Sequence, residues 1–383
     1  MRKVYPVLLL TILFFACKDS NTKNNTSSLN PMNTNNNPLL AESTLPYGAP
    51  DFTQIKNKHF KEALLQGMDE KRAIIEKIAS NQELATFENT ILALEKSGSL
   101  LERVQNVFSA LTGAHTNDTL QAVQEEMAPK FSELRDAIYL NDKLFQRVKT
   151  LYGKKESLDL DVESLKLLET YFEDFEIAGA NLSEEDKETL KTYNSRLATL
   201  SNTFNKTLLE ANNAGALLIK DKSVLAGIPE SELKSLKNDV DGGWKLPLQN
   251  TTQQPLLQSL KSRATRERIF KAAWNRADGS AHDTKAIIVE IAELRAKKAA
   301  LLGFTNYAEW NLQNTMAKKP ENVNKLFRGL IPAATTKAKQ EAHEIQLMIQ
   351  KEGGDFTLAP WDWNYYAEMV RKEKYDLDEN QLK

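Results

Sequence analysis

The longest unbroken helical pattern in the chain opens at Ser183 and runs to Ala211, and it limits the fold more than any other stretch. Leu190, Tyr193, Leu197, Leu200, Phe204, Leu208 and Ala211 recur at steps of three and four, forming a narrow apolar seam. A seam of that width suits antiparallel helices packed in coiled-coil fashion. Ser183 supplies the oxygen that caps the first turn.

Three further segments hold the same period. Phe60, Leu64, Gly67, Lys71, Ile74 and Ile78 outline one, with Lys71 as its polar interruption. A second, capped by Thr86, is expected to continue through Phe87, Ile91, Leu94, Gly98, Leu101, Val104, Phe108 and Leu111. The third begins at Asn117 and carries Leu120, Val123, Met127, Phe131, Leu134 and Ile138, with a kink expected at Pro129.

Between Ala216 and Leu248 the period changes. Leu217 to Lys220 and Trp244 to Leu248 read as two short strands around a helical turn from Pro229 to Lys237. Helix then resumes near Gln253, with Thr252 as its cap and Pro255 in its first turn, where a missing N–H costs nothing. Asp283 is expected to cap the next helix and Gly303 to close it. Pro320 opens another, Pro332 is expected to kink or split it, and Gly353-Gly354 ends it. The fold class is therefore mainly α: an elongated lobe of antiparallel helices plus a small two-stranded β patch. No repeat of fixed period points to a solenoid.

Composition narrows function by exclusion. Fifty basic residues interleave with 52 acidic ones for a net charge of -2, leaving no basic stripe for a phosphate backbone and no nucleic-acid partner. No G-x-S-x-G elbow and no glycine-rich phosphate loop occurs. The paired carboxylates Glu125-Glu126 and Glu184-Glu185-Asp186 read as solvated helix faces and helix starts.

The single cysteine excludes an internal disulfide, and its setting gives it another reading. Arg2 and Lys3 precede an apolar run from Val4 to Ala16, and Cys17 follows. As a helix that run spans ~20 Å, short of the ~30 Å hydrocarbon core, and so fits a signal segment. Phe14-Phe15-Ala16-Cys17 resembles a bacterial lipoprotein signal, with lipid attached at Cys17; a plain secretory signal or a short membrane anchor are the other readings. Residues 18–37, mostly Asn, Ser and Thr, then form a disordered tether. The expected location is the bacterial cell envelope, with contact to the membrane through the lipid anchor.

Four segments carry a family resemblance. They are T-F-E-N-T-I-L-A-L-E-K-S-G-S-L-L at Thr86 to Leu101, N-D-K-L-F-Q-R-V at Asn141 to Val148, the run from Trp244 to Pro320 that includes R-A-T-R-E-R-I-F-K-A-A-W-N-R, and P-W-D-W-N-Y-Y at Pro360 to Tyr366. Together they resemble the thimet oligopeptidase and peptidyl-dipeptidase family of zinc metallopeptidases, and most closely its bacterial dipeptidyl carboxypeptidases. The resemblance implies two helical lobes flanking a deep channel with zinc on its floor, short peptides as substrates, release of C-terminal dipeptides, and a monomer at full length. With the signal (1–17) and tether (18–37) read above, the chain is expected to continue as an N-terminal helical lobe (38–215), the β patch (216–250) and the first helices of a catalytic lobe (251–383).

Such an enzyme should carry His-Glu-x-x-His on one helix, so that two imidazoles four residues apart reach one metal and the glutamate acts on the bound water. The four histidines here are His59, His115, His282 and His343, and none forms that pair. In His343-Glu344 the second position is Leu347, whose aliphatic side chain cannot ligate zinc, so His343 reads as a surface or packing residue. No metal or catalytic residue is therefore expected within the chain. Arg263, Arg266, Arg268 and Arg276 read either as helix salt bridges or as a grip for a peptide carboxylate, with Arg263, Arg266 and Arg276 as the channel candidates. Trp361, Trp363, Tyr365 and Tyr366 read as core rather than cleft lining.

The acidic close of the sequence, Asp378 to Lys383, resembles the opening turn of a helix. The expectation is an N-terminal part of a membrane-anchored zinc peptidyl-dipeptidase, inactive by itself. The alternative is a non-catalytic helical lipoprotein that binds peptides or a partner.

Overall fold

Helix α1 (Lys58–Ala79) and helix α3 (Ser99–Ala114) cross so closely that only glycine fits between them, and this contact sets the first layer of the structure. A Cβ on Gly67 would stand 2.8 Å from the backbone Cα of Leu101. The computed structural model that shows this describes residues 37–375.

The seam along α1 follows a step of four from Lys71 to Ile75, which is buried, and Ile74 faces water instead. The segment after Thr86 is also corrected. It does not run on as one helix but forms a wide π-helical turn (Phe87–Leu92), a short α2 (Ala93–Glu95), a break, and then α3. Gly98 makes the break by adopting φ 80°, and a Cβ there would lie 2.5 Å from Lys71 Cδ. Lys71 thus interrupts the apolar seam because its methylene stem covers this turn. Thr86 does cap, accepting from Asn89 N while the Asn89 side chain accepts from Thr86 N.

Helix α4 (Asp118–Tyr139), capped by Asn117 at Leu120 N, continues through Pro129. Helices α5 (Asp142–Tyr152) and α6 (Val162–Ala178) pair with each other, and Phe145, Phe172, Phe175, Tyr139 and Tyr152 form a chain of ring contacts between and beside them. Helix α7 (Glu184–Ala214) bears out the long seam and lies against α4 on one side. Ser183 caps it through Asp186 N. Its Leu190, Leu200 and Ala211 are buried while the remaining seam residues stay partly open, because α7 is shared between two neighbours.

Strands β1 (Leu217–Ile219) and β2 (Trp244–Leu246) pair antiparallel, Leu218 opposite Lys245, around α8 (Glu230–Ser235). Helix α9 (Asn250–Ser259) starts earlier than Thr252 allows as a cap, which places Pro255 inside the helix. Helix α10 (Arg263–Trp274) is capped by Ser262, whose Oγ lies 3.3 Å from Thr265 N. Helix α11 (Lys285–Leu301) follows the turn in which Asp283 accepts from Lys285 N and Gly279 N. Gly303 closes it at φ 83°, and Phe304 N returns to Ala299 O.

After the short α12 (Tyr307–Leu312), α13 (Pro320–Lys351) runs unbroken past Pro332, so the expected split does not occur. Gly353 at φ 82° turns the chain toward α14 (Trp363–Tyr375), which packs back on α13 and on α9.

Among the described residues apolar burial falls into three clusters: a large one from Leu39 to Ala180, a second around the β patch from Ile219 to Ile269, and a small one of Ile345, Met348, Ile349 and Tyr366. Between the last two, one stretch of α13 is bare. Leu326, Phe327, Leu330 and Ile331 all stand more than half exposed on it. Among the described residues no helix is long and apolar enough to cross a membrane.

Candidate functional site

The segments that mark the family resemblance meet in pairs. Arg147 reaches from α5 into the turn before α2, where Nε donates to Thr90 Oγ1, Nη2 to Asn89 Oδ1, and Nη1 to the carbonyls of Asn81 and Glu83. One planar guanidinium therefore holds the whole connection from α1 to α2.

The second pairing joins α10 to the Pro360–Asp362 turn. Asp362 is wholly buried and receives Arg263 Nη2 and Arg266 Nη2, each at 2.9 Å, together with Arg263 Nε at 3.1 Å. Arg266 is 1% exposed, and its other donors go to the carbonyls of Trp361, Leu260 and Lys261. Rings complete the enclosure: Arg263 lies 4.1 Å from the Phe356 centroid and Arg266 4.3 Å from that of Tyr365. Such a pair needs full hydrogen bonding to survive the loss of water, and this one has it.

The geometry sorts the four arginines. Arg263 and Arg266, one turn apart on α10, share Asp362. Arg276 stands apart at the end of that helix, with Nη1 toward the carbonyls of Ala273 and Leu248 at 3.2 and 3.4 Å. Arg268 faces solvent. Every nitrogen of Arg266 is already engaged within the chain, whereas among the described residues Arg263 keeps Nη1 and an open edge. Asp362 is the partner of these arginines that sequence reading missed; its one signal was an acid inside an aromatic-rich run. Of those aromatics Tyr366 is buried, while Trp361, Trp363 and Tyr365 are partly exposed around the ion pair.

A second polar group is buried where α11 lies against α7 and α4. Asn194 donates to Asp136 Oδ1 at 2.8 Å and accepts from Lys298 Nζ at 2.7 Å. Burial lifts the Asp136 carboxyl to about 6, and burial likewise lowers the Lys298 ammonium to about 8. Arg196 meets Glu290 of α11 at 2.6 and 2.8 Å, and Trp310 Nε1 of α12 donates to Ile177 O of α6. Also along α4 and α7, an open groove of about 960 Å³ carries both signs of charge, with Glu126, Glu133, Lys130, Lys191 and Arg196 on its walls.

The side chains described here do not fit a zinc ion. His59 accepts from Lys56 N through Nδ1, His282 lies 3.3 Å from Glu210, His115 ends α3, and His343 is exposed on α13. Among the described residues no three His, Cys, Asp or Glu side chains converge as metal ligands. Cys17 and the Asp378–Lys383 helix opening lie outside the described residues.

Comparison with known proteins gives these contacts a setting. Residues 256–383 match the model of Peptidase family M3. The dipeptidyl carboxypeptidase of Escherichia coli (strain K12) is 48% identical over 353 residues, and that of Salmonella typhimurium (strain LT2) 46%. Oligopeptidase A of Haemophilus influenzae is 28% identical over 356 residues. Each alignment covers 91% of this chain and 52% of the relative, so the chain spans about half the length of the curated relatives it matches. By its matched segment and its 46–48% identity to two dipeptidyl carboxypeptidases, the chain belongs to peptidase family M3, the thimet oligopeptidase and peptidyl-dipeptidase family of metallopeptidases.

Proposed function

We propose that this chain forms the substrate-shaping part of a zinc peptidyl-dipeptidase that removes dipeptides from the C-termini of short peptides. The observation that carries the reading is the 48% identity to a dipeptidyl carboxypeptidase over nearly all of this chain and half of that enzyme. In this reading the zinc ligands and the general base belong to sequence outside these 383 residues, and the chain alone does not hydrolyse peptides. Two features support that division: no two of the four histidines have the His-Glu-x-x-His spacing, and the bare apolar stretch of α13 lies within the matched segment. Four large apolar side chains so close together seldom stay open to water on a monomer.

In that assembly the Arg263–Arg266–Asp362 clasp fixes α10 against α14, and Arg263 offers its open edge to the peptide. Lipid attachment at Cys17, with the enzyme held at the cell envelope, is part of the same proposal and rests on the Arg2 to Cys17 segment. Intact mass of the protein extracted from its membrane tests the anchor.

A chimaera tests the catalytic reading. Residues 38–375 are exchanged for the aligned segment of the E. coli dipeptidyl carboxypeptidase, and product dipeptides are followed by mass spectrometry. Dipeptide release with a changed KM is expected. A chimaera that folds, binds zinc and releases none contradicts the proposal.

A further inference from the structure

Where α4, α7, α11 and α12 meet, a cavity of about 250 Å³ opens beside the Asp136–Asn194–Lys298 group. Its walls include Arg135, Arg295 and Lys298, and none of these three has a carboxylate within 4.0 Å among the described residues. Most neighbouring basic groups on α4 and α7 are paired: Lys191 with Glu188, Arg196 with Glu290, Lys206 with Glu125. The three are instead held by rings. Arg135 lies 4.9 Å from the Tyr139 centroid, Arg295 4.9 Å from Tyr307, and Lys298 4.5 Å from Trp310. Ser132 and Ser201 also line the cavity, and their hydroxyls have no side-chain partner among the described residues.

We propose that this cavity binds a small oxyanion, a phosphate or carboxylate group gripped by Arg135, Arg295 and Lys298. Three like charges around one void repel each other, and Arg135 helps to depress Lys298. An oxyanion between them removes that repulsion and gains charge-assisted hydrogen bonds from two planar guanidinium groups. Among the described residues Asp136 is the one acid on the wall; it is turned onto Asn194, and burial keeps it closer to its neutral form than an ordinary carboxyl. Because Arg135 sits on α4 and the other two cations on α11, an occupied cavity ties the N-terminal helices to the family-matched segment.

The test is thermal unfolding of the full 383-residue chain titrated with inorganic phosphate, and separately with succinate, at ionic strength held constant with chloride. A saturable rise in Tm is expected with one or both, since a ligand that binds only the folded state stabilises it by mass action. Arg135→Gln and Arg295→Gln change exposed side chains, so both variants should fold and shift the half-saturating concentration upward at least ~10-fold, as loss of one charge-assisted contact implies. A larger response to phosphate identifies a phosphoryl ligand and a larger response to succinate a carboxylate ligand; either supports the site. No saturable rise with either anion, a rise that chloride reproduces, or an unchanged response in both variants overturns it.

Discussion

Asp362 lies at zero exposure with Arg266 Nη2 2.9 Å from its Oδ1, a contact between residues 96 positions apart. It links α10 to the segment that leads into α14. Removing the carboxylate strands a buried guanidinium, whereas the intact pair is fully satisfied. Asp362→Ala should therefore cost about 3–5 kcal/mol. Urea unfolding measures it, and a cost below ~1 kcal/mol would show that Arg266 finds water instead.

Arg147 serves four acceptors with one flat group, a task that an ammonium cannot copy. Arg147→Lys should destabilise nearly as much as Arg147→Ala, each by about 2–4 kcal/mol as several bonds to buried or half-buried acceptors are lost. Hydrogen exchange should show the loss first in residues 81–90. If lysine restores most of the stability, the planar geometry is not what matters.

Glycines of α1 and α13 give opposite expectations for the same substitution. At Gly67 an added methyl meets the Leu101 backbone at 2.8 Å, so Gly67→Ala should cost about 1–3 kcal/mol despite better helix propensity. At Gly329 no atom of the described residues lies within 4 Å, and Gly329→Ala should stabilise the chain by up to about 1 kcal/mol. Chemical denaturation of the two variants side by side checks both signs.

Much of the fold was legible because helices announce themselves locally. The seam from Leu190 to Ala211, the caps at Thr86, Asn117 and Ser183, and the closing Gly303 each depend on residues a few positions apart. The misses came from longer range. Nothing near Gly98 shows that Lys71 of another helix fills the space a Cβ would take, and Pro332 leaves α13 whole in spite of its missing N–H. For the candidate site, Arg263 and Arg266 stood out as a spacing on one helix face. Their partner did not, since an aspartate among tryptophans and tyrosines carries no sign of which arginine it will meet.

Asp136 makes stability depend on pH in a defined window. Its carboxyl is raised from 3.8 to about 6 by burial, so the folded state holds the proton more firmly than the unfolded chain does. Its contribution is full below pH 3.8 and is lost as pH rises through about 6. Asp136→Asn keeps an acceptor for Asn194 and removes the titration, so the fall in stability across that window should flatten. Lys298, deprived of the carboxylate that opposes its loss of a proton, should titrate below its present value of about 8. Unfolding free energies from pH 4 to 7 check the first outcome, and nitrogen-detected NMR of the lysine checks the second.

The division of labour inside the proposed enzyme is tested most directly on the purified 383-residue chain, by metal analysis combined with an assay for dipeptides released from a short peptide. The account predicts a folded helical protein with zinc well below one equivalent and no release above background. One tightly held zinc per chain together with steady turnover would contradict it.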